Sequence, residues 1–328
     1  ALPCRALFLS VPRGLSPFVK VTKGDSPQYN GGMPLPEDRG HLTTEQSNTA
    51  TAELDLFSTS ECVSILANDH MQAIQAVQNA SEDIAAFIET LIPKIKDGGR
   101  LIYFGCGTSG RLGVLDAAEC PPTFQSLPET IIGIIAGGDA SLRTSSEAKE
   151  DDLNGIALEF DRIALSDKDV ALGIAAGGTT PWVIGGIALA KQRGAVTGFL
   201  TCSPAQNIAD FEIALETGPE PLTGSTRLKA GTATKLTLNI ITTTLFTRLG
   251  KVYGNKMVDL KASNTKLHDR AIRIVTSICE VSREDAAELL AAAHNEVKVA
   301  ILMHKQNVDN KTATQLLTSA GGNLRAAL

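Results

Sequence analysis

"RLIYFGCGTSGRLGVLDAAECPPTF", residues 100–124, is the stretch whose reading decides the fold. Its opening is a short apolar run of the kind a buried strand shows. The next six positions, 105–110, hold three glycines, a cysteine, a threonine and a serine, and a helix-like run then reaches Glu119 just before Cys120 and a double proline. A strand that turns through glycines straight into a helix is the first half of a βαβ unit. Gly105, Gly107 and Gly110 would let the backbone approach a ligand closely. Thr108 and Ser109 add hydroxyls, and the helix start adds free N–H groups and a positive dipole end. No Gly-Lys-Ser/Thr follows, so this is not a nucleotide phosphate loop, and Gly105, Gly107 and Gly110 meet a dinucleotide fingerprint only weakly. The stretch predicts a cradle for a sugar phosphate. The plain alternative is a tight turn with no ligand.

Outward from it the same alternation continues. "TIIGIIAGG" (130–138), "DVALGIAAGG" (169–178) and "AVTGFLTC" (195–202) read as further strands, and "FEIALE" (211–216) as a weaker fifth. Helical segments separate them, which predicts an α/β three-layer sandwich around a parallel sheet of about five strands. Upstream, "STSECVSILANDHMQAIQAVQNA" (58–80) and "SEDIAAFIETLIPKIK" (81–96) are helical, each starting at a serine placed to cap. Downstream, a long helix spans about Thr226 to Leu249 and stops at Gly250. The tail from about 271 to 328 is all helical, with "SRED" at 282–285 matching a capping box. Three regions follow: a poorly ordered arm over 1–40, a sugar-phosphate-binding domain over 41–255, and a small helical domain over 256–328.

Composition narrows the function. The 328 residues carry a net charge of −6, with 43% apolar, 20% charged and 4% aromatic residues. No basic stripe stands out, and the stretch 271–328 has six basic and six acidic side chains, so a nucleic-acid partner is not expected. No apolar run approaches the roughly 18 residues of a membrane span. "ALFLSV" (6–11), cut short by Pro12, is too brief for a signal peptide. The six cysteines are scattered without a Cys-x-x-Cys pair, which suits reduced thiols of a cytoplasmic protein better than disulfides or a zinc site.

Two more strand ends share the chemistry of the first loop. "GGTTPW" (177–182) brings Gly178, Thr179 and Thr180 to the start of another helix, with Pro181 fitting its first turn. "TGSTRLKAG" (223–231) offers Ser225, though simple helix capping by Ser225 or Thr226 explains it equally well. In open α/β sheets ligands bind beyond the carboxyl ends of the strands, where all three loops would meet. The acidic run "SSEAKEDD" (145–152) reads from its residues as a solvated helix face. Glu119 reads equally as a solvated helix end, although the dipole opposes an acid there, a hint that something else keeps it.

"GTSGRLGVLDAAECPPTF" (107–124), "IIAGGD" (134–139), "GSTRLKAGTATK" (224–235) and "GKVYGNKMVDLKASNTKL" (250–267) together resemble the N-acetylmuramic acid 6-phosphate etherases, members of the sugar isomerase (SIS) fold group. The resemblance runs from "LTTEQSNTAT" (42–51) to "AGGNLRAAL" (320–328), in order. It implies cleavage of the D-lactyl ether of N-acetylmuramic acid 6-phosphate. A base removes the C2 proton of the ring-opened sugar, an acid protonates the departing lactate oxygen, and water adds back to give N-acetylglucosamine 6-phosphate. It assigns proton donation to Glu119. The second catalytic glutamate falls in "EAKED" (147–151), as Glu150 in preference to Glu147. Gly107, Thr108, Ser109, Gly110, Arg111, Gly178, Thr179, Thr180 and Ser225 are the expected substrate contacts. A homodimer in the cytoplasm, with neither metal nor cofactor, completes the picture.

The chain departs from the family's pattern in the second loop. Gly177 stands for serine, Thr179 for arginine and Trp182 for tyrosine, so a hydroxyl and a cation are missing; Cys106 stands for alanine. One geometric point follows from the sequence alone. Ten residues of helix from Ser109 to Glu119 span about 15 Å, more than a hexose phosphate. Glu119 is therefore expected to serve a site completed by the partner subunit. Two rival readings use the same fold: an aldose–ketose sugar-phosphate isomerase, and a non-catalytic sugar-phosphate sensor.

Overall fold

A computed structural model describes residues 38–144, 149–260 and 264–328. The expected arm falls outside these apart from its last three residues, and Glu147 is outside them too. Arg39–Leu328 forms one unit.

Five strands make one sheet: β1 (Leu101–Gly105), β2 (Ile131–Ile135), β3 (Val170–Ile174), β4 (Val196–Thr201) and β5 (Phe211–Ala214). All pairings are parallel, in the order β2-β1-β3-β4-β5. Every residue of β1 and β3 is buried, as expected for strands covered on both faces. Alternate side chains of β1 go to opposite layers. Leu101 and Tyr103 join the core under α2 (Met71–Asn79), α3 (Ser81–Lys96), α4 (Gly107–Phe124) and α7 (Lys229–Arg248). Ile102 and Phe104 join the core under α5 (Ala157–Arg162) and α6 (Pro181–Gln192). This is the expected three-layer sandwich. Because β2 lies on one side of β1 and β3 on the other, the chain reverses its direction of travel at β1, and the loops after β1 and β3 part there to leave a crevice.

Residues 258–324 build a hydrophobic cluster of their own. It is formed by α8 (Thr265–Cys279), α9 (Arg283–Ala292), α10 (Val297–Gln306), α11 (Asn310–Ser319) and α12 (Leu324–Ala327), so helix begins several residues before the expected 271. Asn264 supplies the reason, its side chain accepting from the Leu267 N–H at the start of α8. Ser282 caps α9 as expected.

Three local expectations need correction. The helical run 58–80 is two helices, α1 (Thr59–Asp69) and α2, parted at His70. Ser58 caps α1 through a reciprocal pair with Glu61, but Ser81 is already inside α3, whose cap position is Ala80 with no side-chain bond. The helix from the glycine loop does not stop at Glu119. It carries Pro121 and Pro122 within it and ends at Phe124, where Gln125 adopts the left-handed conformation with φ 47°.

Candidate functional site

The three loops look alike in sequence, yet their backbone chemistry differs. At α4 the Gly110 N–H already donates to the Cys106 carbonyl (3.1 Å), and helix geometry leaves the N–H groups of Gly107, Thr108 and Ser109 without an intrahelical acceptor. At α6 Pro181 has no N–H, the Trp182 N–H donates to the Glu150 carbonyl (3.0 Å), and the Val183 and Ile184 N–H groups turn back to the Thr180 carbonyl. At α7 the N–H groups of Lys229 and Ala230 donate to the Glu220 carboxylate (3.0 and 2.9 Å), and Gly231 donates to the Thr226 carbonyl. Of the three helix starts, only α4 offers N–H groups to an anion. Capping of α7 by Ser225 or Thr226 is thus corrected: Glu220, fully buried and upstream, does that work.

The glycines of the first loop divide into two roles. A side-chain carbon on Gly110 would lie 2.4 Å from the Gly105 carbonyl oxygen and 2.8 Å from Ile135, and one on Gly105 would lie 2.9 Å from the Ile174 carbonyl oxygen. Both positions require glycine for α4 to pack on the sheet, a packing reason beside the expected approach to a ligand. Gly107 is different. Its φ is 49°, and a carbon there would stand 3.4 Å from Oε1 of Glu150. The carboxylate of Glu150 therefore reaches the open start of α4, while its own carbonyl is clamped by Trp182. Trp182 is buried against Phe104 and against Gly155, where any side chain would collide with the indole.

Around this point the remaining residues take distinct places. Thr108 packs against Gly231 at the start of α7. Thr108, Ser109, Thr179, Thr180 and Ser225 are half-buried, and among the described residues none of their hydroxyls has a hydrogen-bond partner. Gly178, at φ 77°, accepts from the side-chain amide of Gln206 through its carbonyl (3.0 Å). Arg111 donates through Nε to the Leu142 carbonyl (3.2 Å), tying α4 to the turn after β2 and just ahead of the acidic run. The Cys106 thiol is pushed up to about 12 by burial and by the neighbouring charges of Glu150 and Asp151, which keeps it neutral. Among the described residues no group of three or more His, Cys, Asp or Glu side chains is placed to hold a metal.

Glu119 lies elsewhere. It is exposed on α4, twelve residues after Gly107 and about 18 Å further along the axis. The structure does not bring Glu119 and Glu150 together within one chain. One turn earlier, Asp116 is buried and accepts from Tyr103 (3.2 Å), Asn239 (2.7 Å) and Thr242 (3.3 Å), which fastens α4 to β1 and α7. Burial pushes the Asp116 carboxyl up, against these three donors.

Curated relatives are similar over almost their whole length. The "N-acetylmuramic acid 6-phosphate etherase" of Picosynechococcus sp. is 50% identical over 295 residues, covering 89% of this chain and 98% of that protein. The protein of the same name from Crocosphaera subtropica is also 50% identical, over 89% of this chain and 97% of its own. The chain belongs to the N-acetylmuramic acid 6-phosphate etherase family. Residues 83–191 match the model of the glucokinase regulatory protein N-terminal SIS domain, and residues 254–320 that of the C-terminal lid domain of glucokinase regulatory protein. Gly177 and Thr179, read from the sequence as departures from the family's pattern, stand where α6 starts with no N–H groups to spare.

Sequence reasoning missed several residues at this end of the sheet. Lys229 is fully buried, paired with Asp69 (3.1 Å) and hydrogen-bonded to Gln72 (2.6 Å). It falls inside the quoted "GSTRLKAGTATK" motif, which was a usable signal. Glu220, between two prolines, carried none. Burial pushes the Glu220 carboxyl up, against the two N–H groups it caps and the nearby Lys229. Thr44 and Gln206 were also passed over, although Thr44 stands within "LTTEQ".

Proposed function

We infer that the protein is a carbon–oxygen lyase that cleaves the D-lactyl ether of N-acetylmuramic acid 6-phosphate to N-acetylglucosamine 6-phosphate and D-lactate. The observation that carries the site reading is the start of α4: free N–H groups on Gly107, Thr108 and Ser109, with the Glu150 carboxylate alongside. The C6 phosphate sits on those N–H groups and on the Thr108 and Ser109 hydroxyls, as a handle remote from the reacting carbons. Glu150, held through its backbone by Trp182, takes the C2 proton of the ring-opened sugar. Thr179, Thr180 and Ser225 face the sugar, and Gly178 and Arg111 fix the surrounding loops.

Protonation of the lactate oxygen falls to Glu119 of a second copy, because its own phosphate loop is too distant. A homodimer is supported by apolar surface. Leu56, Val63, Met71 and Leu115 are at least half exposed, and a groove of about 410 Å³ between α2, α3 and α7 is lined by Ile74, Val77, Ile84, Ile88, Leu236 and Ile240. Leu115 lies four residues before Glu119, on the same exposed face of α4. The chain is organised as a sugar-phosphate domain over 41–255 and a helical domain over 256–328, with residues 1–40 as an arm. A cytoplasmic setting suits the free cysteines. Among the described residues no helix is long and apolar enough to cross a membrane.

The test is direct. Incubation with N-acetylmuramic acid 6-phosphate should release D-lactate in step with N-acetylglucosamine 6-phosphate. A ketose phosphate product without lactate would make the protein an isomerase. Binding without turnover would make it a sensor.

A further inference from the structure

The segment Arg39–Phe57 crosses the carboxyl edge of the sheet as a chain of short 3-10 turns, at Thr43–Glu45, Thr49–Thr51 and Leu54–Leu56. It touches two of the three loops. Thr44 Oγ1 lies 3.5 Å from where a side-chain carbon on Gly177 would be, and Thr179 Oγ1 lies 4.0 Å from the same point. Glu45 lies against Gly224, its Oε2 3.1 Å from the equivalent point there. Asn48 then pins the segment, donating to Asp69 (2.9 Å) and to the Pro219 carbonyl (3.3 Å). The turn that carries Thr44 has no side-chain cap, and its hydrogen bonds are local: the N–H groups of Leu42, Glu45 and Gln46 donate to the carbonyls of Arg39, Leu42 and Thr43.

One atom in this arrangement is out of balance. Thr44 is fully buried, and its hydroxyl has no hydrogen-bond partner. A buried hydroxyl without a partner opposes the state that buries it. The loop position it faces at 177 is a glycine with no side chain to answer it, and Gly177 does not have the positive φ that would demand glycine. The unpaired hydroxyl, the missing side chain at 177 and the free hydroxyl of Thr179 all meet at the loop that the sugar is expected to face.

We propose that residues 42–48 are a strap over the sugar site and that Thr44 is a specificity-determining residue, whose hydroxyl pairs with a polar group on the ring of the bound amino-sugar phosphate beside Gly177 and Thr179. This rests on the reading of the site given above. In the ligand-free state the strap lies closed on Gly177. Sugar entry lifts it, with Asn48 as the fixed point, and the Thr44 hydroxyl exchanges no partner for one. The phosphate, held at α4, is not involved.

The experiment compares wild type, Thr44→Val and Thr44→Ser by calorimetric titration with N-acetylglucosamine 6-phosphate and with inorganic phosphate. Valine keeps the shape and deletes the hydroxyl. It should weaken the sugar phosphate by about three- to tenfold, the worth of one neutral hydrogen bond, and leave inorganic phosphate unchanged. Its melting temperature should hold or rise, since an unpaired buried hydroxyl has been removed. Serine should restore the sugar affinity. Should valine unfold the protein, amide exchange over 42–48 in the wild type provides the second reading, and the proposal requires it to change when N-acetylglucosamine 6-phosphate is added. Wild-type binding with equal affinity in Thr44→Val overturns the role of Thr44 alone. Failure of the wild type to bind N-acetylglucosamine 6-phosphate overturns the site reading, and this inference with it.

Discussion

Glu119→Gln and Glu150→Gln should each be inactive alone and should rescue each other when mixed. The expectation comes from one distance. Glu150 reaches Gly107 at the start of α4, and Glu119 is twelve residues along the same helix, about 18 Å away along its axis. If a site pairs Glu150 of one subunit with Glu119 of the other, a mixed dimer has one site with both glutamates intact and one with neither. Random pairing of equal amounts makes half the dimers mixed, so lactate release should recover to about a quarter of wild type in a twofold-symmetric dimer. Loss of a general acid or base typically lowers the rate by about 10² to 10⁴, so each parent variant should give about 1% or less. The assay is D-lactate release after co-expression of two differently tagged variants. Purification through both tags selects mixed dimers and should raise the recovery to about half. Double-tagged dimers that stay at the level of their parents would refute the reasoning and put both glutamates in one chain's site.

Three further outcomes follow from the geometry. Ser109→Ala should raise KM for N-acetylmuramic acid 6-phosphate more than it lowers kcat, because a phosphate contact is kept in ground and transition states alike; steady-state lactate kinetics decide it. Gly110→Ala should lower the melting temperature strongly, costing about 3 kcal/mol or more, since the added carbon lies 2.4 Å from the Gly105 carbonyl oxygen and helix and strand must part; a melt within a degree of wild type would contradict this packing role. Arg100→Ala should cost about 2 kcal/mol at neutral pH, less than for a fully buried pair because Arg100 is partly solvated. Burial alone would push the Asp169 carboxyl up, but the Arg100 guanidinium and the Ser166 N–H hold it below the usual carboxylate range. A lowered folded pKa gives stability that is present above the unfolded value near 3.9 and is lost as pH falls through the folded one, so the gap in melting temperature between wild type and variant should be full at neutral pH and shrink as pH falls below about 3.9 in circular-dichroism melts.

The sheet was legible because parallel strands covered on both faces read as largely apolar runs, and glycine-rich turns follow β1, β2 and β3. All five strands lie within the stretches read from the sequence, "FEIALE" included. Local chemistry was equally readable where both partners lie within one turn, as with Ser58 and Glu61. Where helix boundaries went astray, the deciding group was remote or unusual. Glu220 sets the start of α7 from nine residues away, and α4 continues through Pro121 and Pro122 to Phe124, against the usual reading of proline as a helix stop.

For the site, sequence chemistry put three hydroxyl-rich loops at one edge and favoured the first, on side chains and glycines alone. What ranks them is where the backbone N–H groups of each helix start go. That depends on Glu150 folding its carbonyl onto Trp182, and on Glu220 turning back under α7, pairings between residues 32 and 9 positions apart. A motif records which side chains are present, not which N–H groups have already been used. The same limit hid Thr44. It was part of a recognised stretch, but its significance lies in an absence, a hydroxyl buried without a partner opposite a glycine. The separation of Glu119 from its own loop was the exception. Once α4 was read as one continuous helix, its rise per residue alone kept Glu119 away from its own loop, and the fold has not shortened that distance.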